Sequence, residues 1–430
     1  MNRRQNHFEA VLCNPDGTQQ VIYDERSPKY VDHLNKTFYF LEDGRRFIVR
    51  EETSTGYMHL YLYGIGQGVL HPITQGEWEV TDFVGLRGDK VYYISTESSP
   101  LKRDLYRVGL DGKHKERLTP GDGYYSIYPS ADLSYYICEG GDSSAPGRTD
   151  VFNAAGKRVR TLYDNAPLKE ALAEAGLPVR EFFTFTTERG DELNGYMLKP
   201  LDFDPAKRYP VLLTQYSGPG SQQVAEGWGP DWEDALVTHG YIVVCVDPRG
   251  TGYRGEEFKK LTYGNLGRLE VEDQISTARY MARQSYVDPA RIGIYGWSYG
   301  GFMALGCAFR GEGLFKMAIA VAPVTSWRYY DSIYTENFNG LPDDYPKGYD
   351  DNSPVNLAHL FRDDSTRLLI VHGTADDNVH FQNTMEMARA LNKLGKQYDM
   401  MVYPDQNHSM MPDDMIHVRE KMLRYTLENL

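Results

Sequence analysis

The chain has few cysteines and no long hydrophobic run. Its 430 residues include only four cysteines, Cys13, Cys138, Cys245 and Cys307, and no two of them form a C-x-x-C pair. This spacing predicts neither a zinc site nor a dense disulfide framework. No run of 18 apolar residues occurs, and residues 1–7 lack an apolar stretch, so we expect neither a membrane span nor a signal peptide in this sequence.

Blocks of positive charge are also absent. Lysine and arginine total 46 against 60 aspartates and glutamates, which gives a formal net charge of −14 at neutral pH. An acidic chain without a basic block is a poor partner for nucleic acid or for an anionic membrane surface. The charge suits a cationic peptide amine as ligand, although an ordinary solvated surface accounts for it equally well.

Patterns typical of metal or nucleotide cofactors are scarce. No H-E-x-x-H sequence is present, and the Asp pairs that begin at 363, 376 and 413 lie in separate predicted loops, so no metal site is expected. A G-x-G-x-x-G sequence at 250–255 follows a predicted strand. A dinucleotide site also needs an acidic residue at the end of the next strand, about 20 residues on, and that region is predicted to be the helix around Asp273. We therefore expect no cofactor.

The sequence Gly-Trp-Ser-Tyr-Gly-Gly at 296–301 is the most informative motif. A G-x-S-x-G pattern alone arises by chance in roughly one chain in ten of this length. Here an apolar strand is predicted before it at 291–295, and an apolar helix after it at 302–308. A strand that turns sharply into a helix at this motif exposes the serine hydroxyl, because the glycines remove side-chain clashes. Ser298 is thus the candidate nucleophile.

Two later segments supply an acid and a base. An apolar strand at 367–371 is followed by His-Gly-Thr-Ala-Asp-Asp-Asn-Val, and the next predicted strand is followed by Pro-Asp-Gln-Asn-His. The order Ser, Asp, His along the chain is that of an α/β-hydrolase. His408 is the predicted general base, because His372 precedes the acid and breaks this order. The spacing does not choose between Asp376 and Asp377 as the acid.

The region before residue 164 differs from the rest of the chain. Up to residue 163, short alternating strands separated by turn sequences recur in units of roughly 40 to 45 residues, the size of a four-stranded propeller blade. About three such units fit into 1–163, fewer than the four or so that a closed propeller needs. We therefore predict a partial, all-β propeller over 1–163, with an incomplete array of blades.

Residues 164–430 alternate strands and helices. A capped helix is predicted at 165–176, where it ends at a glycine. Apolar runs predict strands at 210–214, 241–246, 291–295, 316–321, 367–371 and 398–403. This alternation predicts a mostly parallel sheet with helices on both faces, which is the architecture of an α/β-hydrolase domain over 164–430.

Several long stretches occur in the order found in one known family. They are Asp-Pro-Arg-Gly-Thr-Gly-Tyr at 247–253, Gly-Arg-Leu-Glu-Val-Glu-Asp-Gln at 267–274, the motif at 296–301, and the segments 321–336 and 372–381. On these stretches the sequence resembles the dipeptidyl peptidase IV branch of the prolyl oligopeptidase family. The resemblance is close over the C-terminal half and loose over the N-terminal part, and it implies the C-terminal part of a propeller followed by the whole catalytic domain.

The resemblance implies roles for the reacting residues. It implies Ser298 as the nucleophile, Asp376 as the acid and His408 as the base. It also implies an oxyanion hole formed by the Tyr216 hydroxyl and the backbone N–H of Tyr299, which would stabilise the negative charge of the tetrahedral intermediate.

The resemblance also implies a substrate site. Asn378 matches a residue that holds the carbonyl of the first amino acid of the substrate. The walls of an apolar slot for proline, called the proline slot below, match Tyr299, Val324, Trp327, Tyr330, Tyr334 and Val379. By spacing alone, the aromatic residues at 327, 330 and 334 predict one face of a helix in the core, because they follow the i, i+3, i+7 rule.

The implied function is that of a serine exopeptidase without a cofactor, which releases N-terminal dipeptides from short peptides with proline, or less well alanine, as second residue. In the family, a pair of glutamates in earlier blades holds the free amino terminus, and nothing before residue 164 matches that segment. An oligopeptidase, acylaminoacyl peptidase or esterase of the same fold, or an inactive truncated form, is the alternative. The resemblance further implies a homodimer and a periplasmic or extracellular setting in a bacterium.

Overall fold

The structure is a computed structural model that describes residues 1–33, 36–176 and 178–430. By their internal contacts, the residues fall into two units. The first unit consists of Met1–Ala175, Ala225–Gly229 and Gly252–Lys260, and the second of Gly176–Val224, Pro230–Thr251 and Leu261–Leu430. The domain limits predicted from the sequence, 1–163 and 164–430, stay a prediction.

The first unit contains a hairpin and three four-stranded antiparallel sheets among its described residues. The hairpin pairs β1 with β2, and the sheets comprise β3 to β6, β7 to β10 and β11 to β14, with sequential strands as neighbours. The strands are β1 (His7–Cys13), β2 (Gln19–Arg26), β3 (Thr37–Phe40), β4 (Arg46–Glu51), β5 (His59–Gly64), β6 (Gly68–Pro72), β7 (Val80–Arg87), β8 (Lys90–Ser95), β9 (Asp104–Gly109), β10 (Glu116–Arg117), β11 (Tyr124–Pro129), β12 (Tyr135–Gly141), β13 (Arg148–Asn153) and β14 (Arg158–Tyr163).

The core of the first unit lies between neighbouring sheets. Alternate residues of β4 and β5 face opposite sides of their sheet, as the period of a strand requires. Ile48 and Leu60 belong to an apolar cluster that includes residues of β8, whereas Phe47 and Tyr61 belong to a second cluster with residues of β2. Inner strands are therefore buried on both faces, as stacked propeller blades require.

The second unit is built on one eight-stranded sheet in the order β15-β16-β18-β17-β19-β20-β21-β22. Its strands are β15 (Glu181–Thr186), β16 (Glu192–Leu198), β17 (Tyr209–Thr214), β18 (Ile242–Asp247), β19 (Val287–Trp297), β20 (Met317–Val321), β21 (Arg367–Gly373) and β22 (Asp399–Tyr403). Strands β17 to β22 pair in parallel, and β15 and β16 add an antiparallel edge. The predicted fold class is confirmed, and β17 to β22 match the six predicted strands.

Ten α-helices occur among the described residues. They are α1 (Ala166–Ala175), α2 (Asp234–Thr238), α3 (Glu256–Lys259), α4 (Leu269–Ala282), α5 (Tyr299–Arg310), α6 (Ser332–Asn339), α7 (Pro346–Asp350), α8 (Pro354–Leu357), α9 (Gln382–Lys393) and α10 (Pro412–Asn429). The helix predicted at 165–176 is α1. Within the described ranges, no helix combines the length and the apolar character that crossing a membrane requires.

The parallel strands determine where the candidate site lies. Because β17, β19, β21 and β22 run in the same direction, their carboxyl ends meet at one edge of the sheet. In open α/β sheets, ligands bind at this edge. Four predicted site residues follow these four strand ends, namely Tyr216, Ser298, Asp376 and His408.

A buried glutamate makes the stability of the second unit depend on pH. Glu233 lies directly before α2, is 7% exposed, and its Oε1 accepts a hydrogen bond from the Thr214 hydroxyl at 2.7 Å. Burial raises the pKa of Glu233 from 4.5 to about 7. The folded state therefore binds the proton of the Glu233 carboxyl more tightly than the unfolded chain does. The contribution of this proton to the free energy of unfolding is complete below about pH 4.5 and is lost as the pH rises through 7.

We therefore expect Glu233→Gln to match the wild-type protein in stability near pH 5 and to exceed it near pH 8 by up to roughly 3 kcal/mol, because the amide carries no charge. Thermal unfolding at both pH values measures this difference. Glu428→Gln is the matched control, since Glu428 is exposed on α10, and it should leave the pH dependence unchanged. If Glu233→Gln shows the pH dependence of the wild-type protein, the buried carboxyl is not responsible for it.

Candidate active site

Ser298 occupies a sharp turn between β19 and α5. Its backbone angles are φ 62° and ψ −117°, a conformation that residues with a Cβ rarely adopt and that is often found at functional sites. The Ser298 N–H donates to the carbonyl of Val321 at 2.8 Å, and its own carbonyl accepts from the N–H of Phe302 at 3.0 Å. The turn is thus fixed by hydrogen bonds on both sides, in the strand-to-helix geometry that the motif predicts.

The glycines of the motif permit a close approach of backbone segments. A Cβ on Gly296 would lie 2.3 Å from the carbonyl oxygen of Gly300, and a Cβ on Gly300 would lie 2.5 Å from the carbonyl oxygen of Gln215. The Gln215 side chain adds a hydrogen bond from its Nε2 to the Gly300 carbonyl at 2.9 Å. The segment after β17 therefore packs directly against the start of α5, and only glycine fits at these contacts.

Asp376 and His408, a candidate acid and the predicted base, are hydrogen-bonded to each other. The Nδ1 of His408 lies 2.7 Å from the Oδ2 of Asp376, and the Asp376 side chain is fully buried. The other oxygen, Oδ1, accepts hydrogen bonds from the backbone N–H groups of Asn378 at 3.0 Å and Val379 at 2.9 Å. Asp377 is exposed. Of the two candidate acids, the structure brings Asp376 to His408.

The charge of Asp376 follows from these contacts. Burial acts to raise the pKa of this carboxyl, but hydrogen bonds from His372 and His408 outweigh burial, so that the pKa lies well below its ordinary value. Asp376 is therefore ionised at neutral pH. Because a carboxylate only accepts hydrogen bonds, Nδ1 of His408 carries a proton, and Nε2 is left as the nitrogen that can accept a proton from a neighbouring group.

A second imidazole contacts the same carboxylate. The Nε2 of His372 lies 3.1 Å from Oδ2 of Asp376 and 2.8 Å from the carbonyl of Val379. Since a carbonyl only accepts, this nitrogen carries a proton, and Nδ1 lies 2.7 Å from the Thr384 hydroxyl. The order of residues along the chain argues against His372 as the base. Nothing in the sequence predicted that His372 would donate to Asp376.

His408 lies close in space to the turn that carries Ser298. The indole N–H of Trp297, the residue before Ser298, donates to the backbone carbonyl of His408 at 3.1 Å. Within the described part of the chain, the Ser298 hydroxyl makes no hydrogen bond to the His408 ring. In enzymes without a bound substrate this bond is often long and shortens only in the complex.

Aromatic rings of the predicted proline slot gather around Trp327, which is buried. Its ring centroid lies 5.3 Å from that of Tyr299, 6.1 Å from that of Tyr330 and 6.4 Å from that of Tyr334. Tyr216 joins this group, because its ring lies 6.0 Å from that of Tyr299. The remaining two predicted wall residues, Val324 and Val379, are buried.

The prediction of one helical face for these aromatic residues is wrong. Trp327 lies in a short 3₁₀ turn, Tyr330 is extended with φ −103° and ψ 163°, and Tyr334 belongs to α6. The Asp331 carboxylate accepts a hydrogen bond from the Tyr334 N–H at 2.8 Å and so starts a new helix. Side chains from three local structures thus converge. Their spacing in the sequence matches a helical period, but the segment does not form one helix.

Asn378 is linked to the same aromatic group. Its Oδ1 accepts a hydrogen bond from the Tyr330 hydroxyl at 2.6 Å. Because this contact uses the amide oxygen, the Nδ2 of Asn378 is left as a donor. A donor at this position has the chemistry needed to bind a carbonyl oxygen.

One group of metal-capable side chains exists within the described residues, and it lies elsewhere. His7, Glu9 and Asp24 bring one ligand atom each within 4.8 Å of one another on the β1–β2 hairpin. These residues belong to the first unit, whereas the predicted catalytic residues belong to the second.

Two family models match the chain. The model of the prolyl oligopeptidase family matches residues 228–430, and the model of the dipeptidyl peptidase IV N-terminal region matches residues 1–146. The probable dipeptidyl-aminopeptidase B of Aspergillus niger is 41% identical over 366 residues, and that of Pyrenophora teres f. teres is 40% identical over 367 residues. Each alignment covers 83% of this chain, and the chain spans 40% of the length of each relative.

Solved structures show the same similarity. The crystal structure of Porphyromonas gingivalis dipeptidyl peptidase 4 matches with a TM-score of 0.95 at 40% identity, over all of this chain and 61% of that chain. A putative dipeptidyl aminopeptidase IV from Bacteroides ovatus matches with a TM-score of 0.91 at 29% identity, over all of this chain and 64% of that one. By sequence and by fold, the chain belongs to the prolyl oligopeptidase family, in its dipeptidyl peptidase IV branch.

Proposed function

We propose that this chain carries the catalytic machinery of a serine exopeptidase that releases dipeptides from free peptide amino termini, with proline or less readily alanine as the second residue. The observation that supports this most is the hydrogen bond between His408 and the buried Asp376, at the sheet edge where the Ser298 turn also lies. The names of the relatives, dipeptidyl-aminopeptidase B and dipeptidyl peptidase 4, agree with this reaction.

The first half of the proposed reaction transfers the dipeptide to the enzyme. The Nε2 of His408 accepts the proton of the Ser298 hydroxyl while the Oγ of Ser298 bonds to the carbonyl carbon of the second residue of the substrate. Negative charge develops on the carbonyl oxygen, where the N–H of Tyr299 and the hydroxyl of Tyr216 donate hydrogen bonds. His408 then gives its proton to the leaving amine as the C–N bond breaks. The product is a dipeptidyl ester of Ser298.

The second half returns the enzyme to its starting state. A water molecule gives a proton to His408 as its oxygen bonds to the ester carbon, and the same oxyanion donors stabilise the charge. The proton passes to the Oγ of Ser298 when the ester bond breaks, and the dipeptide leaves as a carboxylic acid. Asp376 stabilises the imidazolium in both halves, because it is ionised and hydrogen-bonded to Nδ1.

Substrate choice is proposed to come from the proline slot. A proline ring is flat and apolar and packs well against aromatic faces, and Trp327 with its neighbouring tyrosines offers such faces. Alanine fills less of the same space and buries less apolar area. The Nδ2 of Asn378 would donate to the carbonyl of the first residue. Association into a homodimer, which the resemblance implies, stays a prediction.

The requirement for a free amino terminus tests the proposal. We expect the purified protein to cleave Gly-Pro-nitroanilide and to reject its N-blocked analogue, because an exopeptidase must bind the free amine. A fluorophosphonate should label the wild-type protein, and the Ser298→Ala variant should stay unlabelled. Release of nitroaniline and incorporation of the label are the measurements.

Other outcomes would replace the proposal with a defined alternative. Efficient cleavage of the blocked compound would indicate an oligopeptidase or an acylaminoacyl peptidase. Labelling without cleavage of either peptide compound would indicate an esterase or another hydrolase of the same fold. A folded protein that takes up no label at Ser298 would be an inactive form.

The proline slot predicts a change in selectivity when its largest ring is removed. We expect Trp327→Ala to lower kcat/KM for both substrates, with a fall for Gly-Pro-nitroanilide about ten times or more as large as the fall for Ala-Ala-nitroanilide. The reason is that the proline ring loses more aromatic contact than the alanine methyl does. Trp232→Ala is a matched control, since Trp232 is buried against Tyr295 outside the slot. Equal losses on both substrates in Trp327→Ala would remove Trp327 from the specificity site.

A further inference from the structure

Glu270 is a buried carboxyl group that the proposed reaction does not use. It is the second residue of α4, and its side chain is completely buried. Its Oε1 accepts a hydrogen bond from the Tyr299 hydroxyl at 2.7 Å. The N–H of Gly267 donates to the same carboxylate, at 3.1 Å to Oε1 and 3.0 Å to Oε2. No ion pair involves Glu270 within the described ranges.

Burial without a cation makes this position costly for a glutamate. An ionised carboxylate in an apolar interior is destabilising unless hydrogen bonds satisfy it. Burial raises the pKa of Glu270 to about 7 even though Tyr299 and Gly267 donate to it. An apolar residue of similar size would avoid this cost, so packing alone gives no reason for a carboxylate at this position. The two groups that donate to it, the Tyr299 hydroxyl and the Gly267 N–H, do give a reason.

The partner of Glu270 takes part in the proposed site twice. Tyr299 directly follows Ser298, and its backbone N–H is a proposed oxyanion donor. Its ring is also a wall of the proline slot, 5.3 Å from the ring of Trp327. A shift of this residue would therefore change both the pocket and the donor that faces the reacting carbonyl.

The other contact of Glu270 ties α4 to α5. Gly267 has φ +83°, and a Cβ on it would lie 2.2 Å from the ring of Phe302, so the turn before α4 packs tightly on the first turn of α5. The Phe302 ring in turn contacts the rings of Tyr299 and Trp327 at 5.3 and 5.0 Å. Glu270 thus bridges a backbone N–H in the turn before α4 and a side chain at the start of α5.

From this geometry we infer that Glu270 is a positioning residue: through the Tyr299 hydroxyl it holds the Tyr299 ring in the proline slot and the Tyr299 N–H beside Ser298. The inference rests on the proposed function and names a residue that determines how that site binds substrate. In the proposed reaction, Glu270 itself touches neither the substrate nor the reacting atoms.

Glu270→Gln tests the inference, because the amide keeps the volume of the side chain and one acceptor oxygen but removes the charge and the second acceptor. We expect kcat/KM for Gly-Pro-nitroanilide at pH 8, where a carboxyl with a pKa of about 7 is mostly ionised, to fall roughly tenfold, as for loss of one hydrogen bond to a charged group. Most of the loss should appear as a higher KM, and the loss on Ala-Ala-nitroanilide should be smaller. A merely structural role would instead lower the active fraction and leave KM and the substrate ratio unchanged.

A double-mutant cycle with Tyr299→Phe shows whether Glu270 acts through the hydroxyl. If it does, Glu270→Gln should change kcat/KM by less than about twofold once the hydroxyl is absent. Glu233→Gln is the matched control, because Glu233 is also buried and its pKa is also raised to about 7, yet it contacts Thr214 instead. Its effect should be the same in both backgrounds. Circular dichroism and thermal unfolding confirm that each variant is folded at the assay temperature.

The outcomes separate failure of the inference from failure of the proposed function. If the wild-type protein cleaves Gly-Pro-nitroanilide and the losses in Glu270→Gln and Tyr299→Phe multiply, the inference is overturned and the function stands. If the wild-type protein cleaves neither peptide, the rate of fluorophosphonate labelling at Ser298 serves as the readout, since it also depends on the Tyr299 N–H. An unchanged labelling rate in Glu270→Gln, or a wild-type protein that takes up no label, would then overturn the inference.

Discussion

The hydrogen bond from the His408 ring to a buried, ionised Asp376 is the interaction on which the account of this site depends. A serine hydroxyl is a weak nucleophile until a nearby base accepts its proton. The proposed base, His408, must have the correct nitrogen free, and the 2.7 Å contact to Oδ2 of Asp376 ensures this by keeping the proton on Nδ1. Asp376 in turn stays ionised because two backbone N–H groups and His372 donate to it.

The sheet brings these groups together from distant parts of the chain. Parallel strands place their carboxyl ends at one edge, so the loops after β19, β21 and β22 meet there, each supplying one residue of the proposed triad. The tight packing of the segment after β17 on α5, possible only because Gly296 and Gly300 lack a Cβ, fixes the serine turn. The strand ends and the close glycine contacts together set where the proposed reacting atoms lie.

Features governed by local periodicity could be predicted from the sequence. The six apolar runs predicted β17 to β22, because strands buried on both faces have nearly continuous apolar sequences. Strands β15 and β16 were not predicted, since their sequences mix apolar and polar residues, as in Glu192–Leu198. The helical spacing of Trp327, Tyr330 and Tyr334 was misleading, because an extended residue and a new helix cap interrupt it.

Contacts between distant segments could not be predicted from the spacing. Asp376 and Asp377 are adjacent and chemically identical, and only the direction of the loop after β21 decides which one is buried against His408. His372 and Glu270 lie in recognisable motifs, yet their hydrogen bonds to Asp376 and Tyr299 depend on how strands and helices pack. Such residues become visible only when the three-dimensional structure shows which donors meet which acceptors.

The most direct test of the account compares two neighbouring aspartates. The rate at which a fluorophosphonate labels Ser298 should fall roughly a thousandfold or more in Asp376→Asn, because the asparagine amide can donate to His408 and favour the wrong tautomer. Asp377→Asn, with its side chain exposed one residue away, should label at the wild-type rate. Equal labelling rates in the two variants, or a loss in Asp377→Asn alone, would contradict the role assigned to Asp376.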